Sequence, residues 1–173
     1  ASSNLLRYDG VRYATRVEGN SLDELYENSR TDGFGDEVVR RILLGTFVLS
    51  AGFYDAYYTR AQRVRRLIYN DFVEAFKQVD AILTPAAPTP ALSAEALKQM
   101  KPVDVYLGDV FTTPASLAGI PGISLPVGLS SNGLPIGLQL LGRHFDESGI
   151  FQIADVLEKQ ANFDKLPRRV KGE

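Results

Sequence analysis

Residues 110–142 contain no Asp, Glu, Lys or Arg, which strongly constrains how this part of the chain can fold. The same stretch is interrupted by Pro114, Pro121, Pro126 and Pro135. Each proline removes a backbone donor and interrupts a regular helix, so a membrane-spanning helix would hardly tolerate this run. The run instead predicts short buried strands joined by turns. Asp109 stands directly before it, and a carboxylate beside apolar structure is costly unless something pairs with it.

The bulk composition narrows the possible function classes. A chain of 173 residues with 45% apolar residues can bury the core of one ordinary domain. A net charge of −2 gives no electrostatic case for nucleic acid or an anionic membrane. The absence of cysteine rules out disulfides and thiolate metal sites within this sequence. With no signal-peptide pattern in the first residues, we expect a soluble protein of the cytoplasm, or of an organelle matrix in a eukaryote.

The order of elements indicates α/β layers. All nine prolines lie at or after Pro85, so the first half permits helices. Helical spacing and caps predict helices over 20–30, 36–52 and 53–79, and a closing helix after an Asp146 cap. Buried strands are predicted over 80–86, 122–128 and 134–142. The last strand is apolar at successive positions and needs cover on both faces. We therefore expect either a small sheet or covering structure outside this chain.

Most sequence motifs that indicate a catalytic, phosphate-binding or metal site are absent. The sequence has no phosphate loop, and a single histidine, His144, excludes a two-histidine metal site. Without a GxSxG motif there is also no serine-hydrolase elbow for this histidine to serve, so His144 is predicted to be a surface residue. The basic run at 60–66 fits the solvated face of a helix better than an RNA-binding patch.

Two charged residues remain as site candidates, Arg41 and Asp109. Spacing alone favours an exposed Glu37–Arg41 pair at i, i+4, worth ~0.3–0.5 kcal/mol, and it allows Asp109 to be a cap or a solvated helix residue. A guanidinium and a carboxylate could also hold the two charged ends of a free amino acid. Sequence spacing does not decide whether these two residues meet.

Four segments carry a resemblance to a known family. They are "SSNLLRYDGVRY", "SRTDGFGDEVVRRILLGTFVLSAGFYDAYYTRAQRVRRLI", "DAILTPAAPTPA" and "DVFTTPASLAGIPGISLPVGLSSNGLPIGLQLLGR". To about Phe163 the chain resembles the amidase signature family, and within it the subunits that hydrolyse glutamine for tRNA-dependent amidation. The resemblance implies a mixed β-sheet flanked by helices. Residues 1–173 would be the C-terminal part of one amidase domain.

The resemblance also implies roles for particular residues. Arg41, the second arginine of "RRI", is similar to the residue that binds the α-carboxylate of glutamine, and Asp109 to the one that binds its α-amino group. The family's catalytic lysine and two serines lie in a glycine- and serine-rich segment that this sequence does not contain, so no catalytic residue is assigned here. The chain departs from the family at Ala14, usually glycine, and at Gly108, usually a larger residue.

Cofactors and partners follow from the same resemblance. No cofactor or metal is expected on this chain, because ATP and Mg²⁺ would belong to a partner B subunit. A B and a C subunit would complete a heterotrimer, with tRNA contacted through the B subunit. Two alternatives stay open: part of another amidase signature hydrolase, or a non-catalytic binding or scaffold module.

Overall fold

The computed structural model describes residues 2–163, which group into two compact units divided at Arg63 and Val64. The first unit is helical, and the second contains a sheet. We describe each unit by itself.

Helices α1 (Ser2–Leu5), α2 (Leu22–Gly33) and α3 (Asp36–Val48) lie in the first unit, and α1 packs against α3. The Ser21 hydroxyl accepts a hydrogen bond from the Glu24 N–H at 3.2 Å, and the Glu24 carboxylate accepts one from the Asn20 N–H at 2.7 Å. This reciprocal capping starts α2 where the sequence predicts. The helix then continues to Gly33, three residues beyond the predicted end at Arg30.

The two later helices differ from the prediction in their bounds. Helix α3 ends at Val48 rather than at Gly52, whose φ of +86° is left-handed and cannot continue a helix. The segment predicted as one helix over 53–79 begins with a π-helical stretch, Tyr54–Thr59, and continues as α4, Arg60–Ala75. Aromatic rings pair along the π-helical stretch, with the Tyr54 and Tyr58 ring centroids 4.8 Å apart.

The apolar stripes that helical spacing predicts along these helices are exposed or only half-buried. Neither α3 nor α4 contains a buried residue, and Leu43 in the predicted stripe of α3 is 65% exposed. The helical spacing of these apolar residues and of the tyrosines at 54–58 predicts core packing, whereas the structure leaves these positions exposed or only half-buried. Periodicity identifies the apolar face of a helix, but it does not show that a partner for that face is present.

The sheet of the second unit has three strands, β1 (Ile82–Pro85), β2 (Gly122–Leu129) and β3 (Pro135–Leu141), in the order β1-β3-β2. Both pairings are antiparallel, and the register aligns Gln139 of β3 with Thr84 on one side and Ser124 on the other. Three short helices, α5 (Ala94–Gln99), α6 (Pro102–Leu107) and α7 (Thr113–Ala118), connect β1 to β2. The predicted strands are confirmed.

The closing helix α8 (Glu147–Ala161) packs on β2 and β3 and completes the core on that side of the sheet. The Asp146 carboxylate accepts a hydrogen bond from the Gly149 N–H at 3.0 Å, which confirms the predicted cap. Leu125 and Leu140 of the sheet pack with Ile150 and Ala154 of α8. A side chain on Gly142 would overlap Ile150, so this position must be glycine for the helix to lie close to the strand.

Ala14 has an unfavourable backbone conformation. Its φ of +75° lies in the left-handed region, where a Cβ costs about 1–2 kcal/mol. Glycine would adopt this φ without that cost, which gives a physical reason for the glycine usual in the resembling family.

Within residues 2–163, no helix is both long and apolar enough to cross a bilayer.

Candidate functional site

Arg41 lies in the second turn of α3 beside an acid that it shares with its neighbour. Its Nε donates to Glu37 Oε1 at 2.9 Å, while Arg40 Nη1 donates to Glu37 Oε2 at 2.6 Å. The Arg41 side chain is 55% exposed and that of Glu37 is 45% exposed. The i, i+4 pair that spacing favoured is therefore present. In this exposed setting the pair contributes about 0.3–0.5 kcal/mol to stability. The Arg41 guanidinium could therefore exchange Glu37 for a ligand at little cost in free energy.

Asp109 lies in the connection between α6 and α7, and its side chain is exposed. Its backbone C=O accepts hydrogen bonds from the N–H of Thr113 at 2.9 Å and of Thr112 at 3.2 Å. These bonds close a turn that leads into α7. Asp109 belongs to the second unit and Arg41 to the first, so each is placed within its own unit. The assignment of both to a glutamine site stays a prediction.

Gln139 is a buried polar residue that the sequence analysis did not select. It is 7% exposed, and its Nε2 donates to the Phe111 C=O at 2.9 Å and contacts Thr84 Oγ1 at 3.0 Å. The signal was visible in the sequence, because Gln139 is the one polar side chain in "LPIGLQLLG". What the sequence did not reveal was its partner in the Asp109 connection.

A polar cleft of about 890 Å³ opens in the first unit around Asp9 and Arg30. Asp9 is 9% exposed, and its Oδ1 accepts a hydrogen bond from the Val11 N–H at 3.1 Å. The Arg30 guanidinium lies 3.5 Å from Asp9 Oδ2 and 4.9 Å from the centre of the Tyr26 ring. The Val11 N–H lowers the pKa of Asp9 most, Arg30 lowers it further, and burial opposes them.

This lowered pKa predicts a specific acid dependence of stability. Since the folded pKa is below the unfolded value, near 3.9, Asp9 stabilises the fold above that value, and the stabilisation is lost as pH falls through the folded pKa. In a plot of the urea unfolding midpoint against pH, Asp9→Asn should reduce the fall in midpoint that the wild type shows at acid pH. Glu27→Gln, which removes an exposed charge from the same cleft, should keep it. Parallel wild-type and Asp9→Asn profiles between about pH 5 and pH 2 would contradict the assignment.

His144 is exposed, as predicted, and its ring stacks on Phe145 with centroids 4.1 Å apart. It borders a small apolar cavity of about 230 Å³ lined by Phe72, Phe76 and Ile120. Among the described residues, no group of three or more His, Cys, Asp or Glu side chains is arranged to hold a metal ion.

A comparison with known protein families shows which family this chain belongs to. The model of the family described as "Amidase" matches residues 1–151. The chain belongs to the amidase family. Arg41, Asp109 and Gln139 all lie inside the matched range.

Curated members of the amidase family match almost the whole chain. The A subunit of glutamyl-tRNA(Gln) amidotransferase from Hyphomonas neptunium is 59% identical over 98% of this chain and 34% of its own length. The protein of the same name from Bartonella tribocorum is 60% identical over 93% of this chain and 33% of its own length. The chain therefore spans about one third of the length of these relatives.

Solved structures of the amidase family agree with the fold. The A subunit of glutamyl-tRNA(Gln) amidotransferase from Thermotoga maritima is 45% identical, with a TM-score of 0.61 over 83% of this chain and 31% of that one. A structure described as an amidase is 26% identical, with a TM-score of 0.60 over 79% of this chain and 32% of that one. The predicted fold class, part of an α/β amidase signature fold, is confirmed, and the strands described here form an antiparallel portion of it.

Proposed function

We propose that this chain is part of the glutamine-hydrolysing subunit of a Glu-tRNA(Gln) amidotransferase. The observation that carries the proposal is 59% identity, over 98% of this chain, to the amidotransferase A subunit of Hyphomonas neptunium. Because the chain spans only 34% of that relative, the activity is assigned to a protein of the relative's full length.

The contribution of this chain is to bind glutamine by its charged ends. Arg41 would hold the α-carboxylate, since a guanidinium presents two parallel donors to two carboxylate oxygens. Asp109 would accept hydrogen bonds from the α-ammonium group. A neutral amide lacks both charges, so this pair would select glutamine over other amides.

We assign the chemistry itself to the part of the relatives that this chain does not cover. The proposed reaction begins with attack of a serine oxygen on the side-chain amide of glutamine, which releases ammonia and leaves an acyl-enzyme for water to hydrolyse. The lysine and two serines of this step would lie in that uncovered part. We therefore expect no ammonia release from residues 1–173 alone.

The ammonia would serve a second protein of the complex. We assign ATP and Mg²⁺ to the B subunit, where tRNA-bound glutamate would be activated and amidated, with a C subunit completing the heterotrimer. The tRNA would be contacted through the B subunit, in the cytoplasm or an organelle matrix.

Asp109→Asn tests this proposal in a subunit of the relatives' full length that carries this sequence. The substrates are glutamine and 4-carbamoylbutanoate, which is the same molecule without its α-amino group. Losing one charged hydrogen-bond partner should lower kcat/KM for glutamine by about 10- to 100-fold. The kcat/KM for 4-carbamoylbutanoate should stay within about threefold of the wild-type value, because that substrate has no ammonium group for Asp109 to bind.

Equal losses on both substrates would contradict the ammonium-binding role of Asp109. A wild-type subunit that prefers neutral amides to glutamine would favour a second candidate, another amidase signature hydrolase. That candidate is supported by the 26% identical amidase structure, which matches with nearly the same TM-score as the amidotransferase structure.

A further inference from the structure

Gln139 is buried at the centre of the three-stranded sheet. The residue is 7% exposed. It lies on the middle strand, β3, where the register places it between Thr84 of β1 and Ser124 of β2. A buried amide costs stability unless its hydrogen bonds are made, so its partners determine what it does.

The orientation of the amide follows from one of those partners. The Phe111 carbonyl oxygen lies 2.9 Å from Gln139 Nε2, and a carbonyl can only accept a hydrogen bond. The nitrogen must therefore face Phe111. Its second contact, 3.0 Å to the Thr84 hydroxyl, joins β3 to β1 within the sheet. One side chain thus links the middle strand both to its neighbour and to the connection between α6 and α7.

That connection carries Asp109 two residues before Phe111. The Asp109 C=O accepts hydrogen bonds from the Thr112 and Thr113 N–H groups at 3.2 and 2.9 Å, so 109–113 forms one closed turn. Residues 101–110 are exposed throughout, whereas Phe111 is half-buried. The contact with Gln139 therefore ties the turn to the buried sheet at the point where the exposed segment ends.

We propose that Gln139 is a positioning residue that fixes the Asp109 turn on the sheet and so sets where the Asp109 carboxylate meets the ammonium of glutamine. The ligand in this proposal rests on the function proposed above. The positioning of the turn rests only on the contacts of Gln139.

Gln139→Leu removes both hydrogen bonds of the amide and puts an apolar side chain, one atom shorter, in its place. In the full-length subunit it should raise the KM for glutamine about tenfold and leave the KM for 4-carbamoylbutanoate within about threefold. Thr84→Val is the matched control, because it removes the bond within the sheet and keeps the bond to Phe111. It should leave both KM values within about threefold.

Gln139→Glu adds a readout that general damage to the fold would not produce. An ionised carboxylate would face the Phe111 carbonyl without a donor, whereas the protonated acid could donate to it. The ratio of the variant's KM for glutamine to the wild-type KM should therefore fall towards one as pH is lowered. A ratio that stays well above one at every pH would contradict the hydrogen bond to Phe111.

The two proposals fail in distinguishable ways. Suppose that Asp109→Asn lowers kcat/KM for glutamine selectively, whereas Gln139→Leu does not raise the KM for glutamine selectively. The positioning role is then overturned and the proposed function stands. If the wild-type subunit shows no preference for glutamine, the proposed function fails, and hydrogen exchange of the Thr112 and Thr113 amides decides the positioning role. Faster exchange in Gln139→Leu than in Thr84→Val supports it, and equal exchange overturns it.

Discussion

Arg41→Ala is expected to raise the KM for glutamine by about 100-fold in a full-length subunit that carries this sequence. Removing the partner of a carboxylate in a closed charge pair typically costs about 2–5 kcal/mol, and about 1.4 kcal/mol is a tenfold change in affinity. The effect should exceed that of Asp109→Asn, because alanine removes the whole planar group that would bind two oxygens at once. Steady-state ammonia release at varied glutamine concentration measures it.

Arg40→Ala is the matched control for this experiment. Arg40 precedes Arg41 on the same helix, its side chain is 53% exposed, and it pairs with the same Glu37. Its loss removes an equal charge but no proposed ligand contact, so the KM should change by about threefold or less. If both alanine variants raise the KM equally, net charge explains the effect and the assignment of Arg41 fails.

Leu140→Ala should cost about 2–5 kcal/mol of unfolding free energy. Leu140 is 0% exposed and belongs to the cluster in which Leu125, Ile150 and Ala154 pack between the sheet and α8. Removing its side chain loses apolar burial and leaves a cavity that these neighbours only partly fill. Urea unfolding of the chain, followed by circular dichroism, measures the difference.

Leu83→Ala provides the comparison at the paired position on the neighbouring strand. Leu83 lies opposite Leu140 in the register, but it is 49% exposed. We expect Leu83→Ala to lower the unfolding free energy by about 1 kcal/mol or less, since this half-exposed side chain buries less apolar surface than Leu140. Similar costs at the two positions would contradict the difference in burial between Leu140 and Leu83.

The second unit was predictable from sequence because short-range signals define it. A carboxylate cap at Asp146 and apolar residues at helical spacing place α8, and the prolines and glycines around 122–142 divide two strands. These signals act within a few residues. The packing that follows, with Ile150 and Ala154 against Leu125 and Leu140, joins elements close in sequence.

The exposed stripes and the candidate site were less predictable for a common reason. The apolar residues of α3, such as Leu43 and Leu44, form a periodic face that the described chain leaves exposed. Whether such a face is covered depends on residues far away or outside the chain, and this chain spans about a third of its relatives. Arg41 and Asp109 were candidates from their charge and position, but their roles came from family resemblance, because spacing carries no information on distant partners. Gln139 was not selected from the sequence, where its polarity was the one available signal, and only the structure reveals its contact with Phe111.

The two arginines on Glu37 have a consequence for any ligand that binds Arg41. If a ligand carboxylate drew the Arg41 guanidinium away, Arg40 would still lie 2.6 Å from the other oxygen of Glu37. The Glu37 carboxylate would therefore still have a cation beside it, and the change of partner by Arg41 would not leave it unpaired.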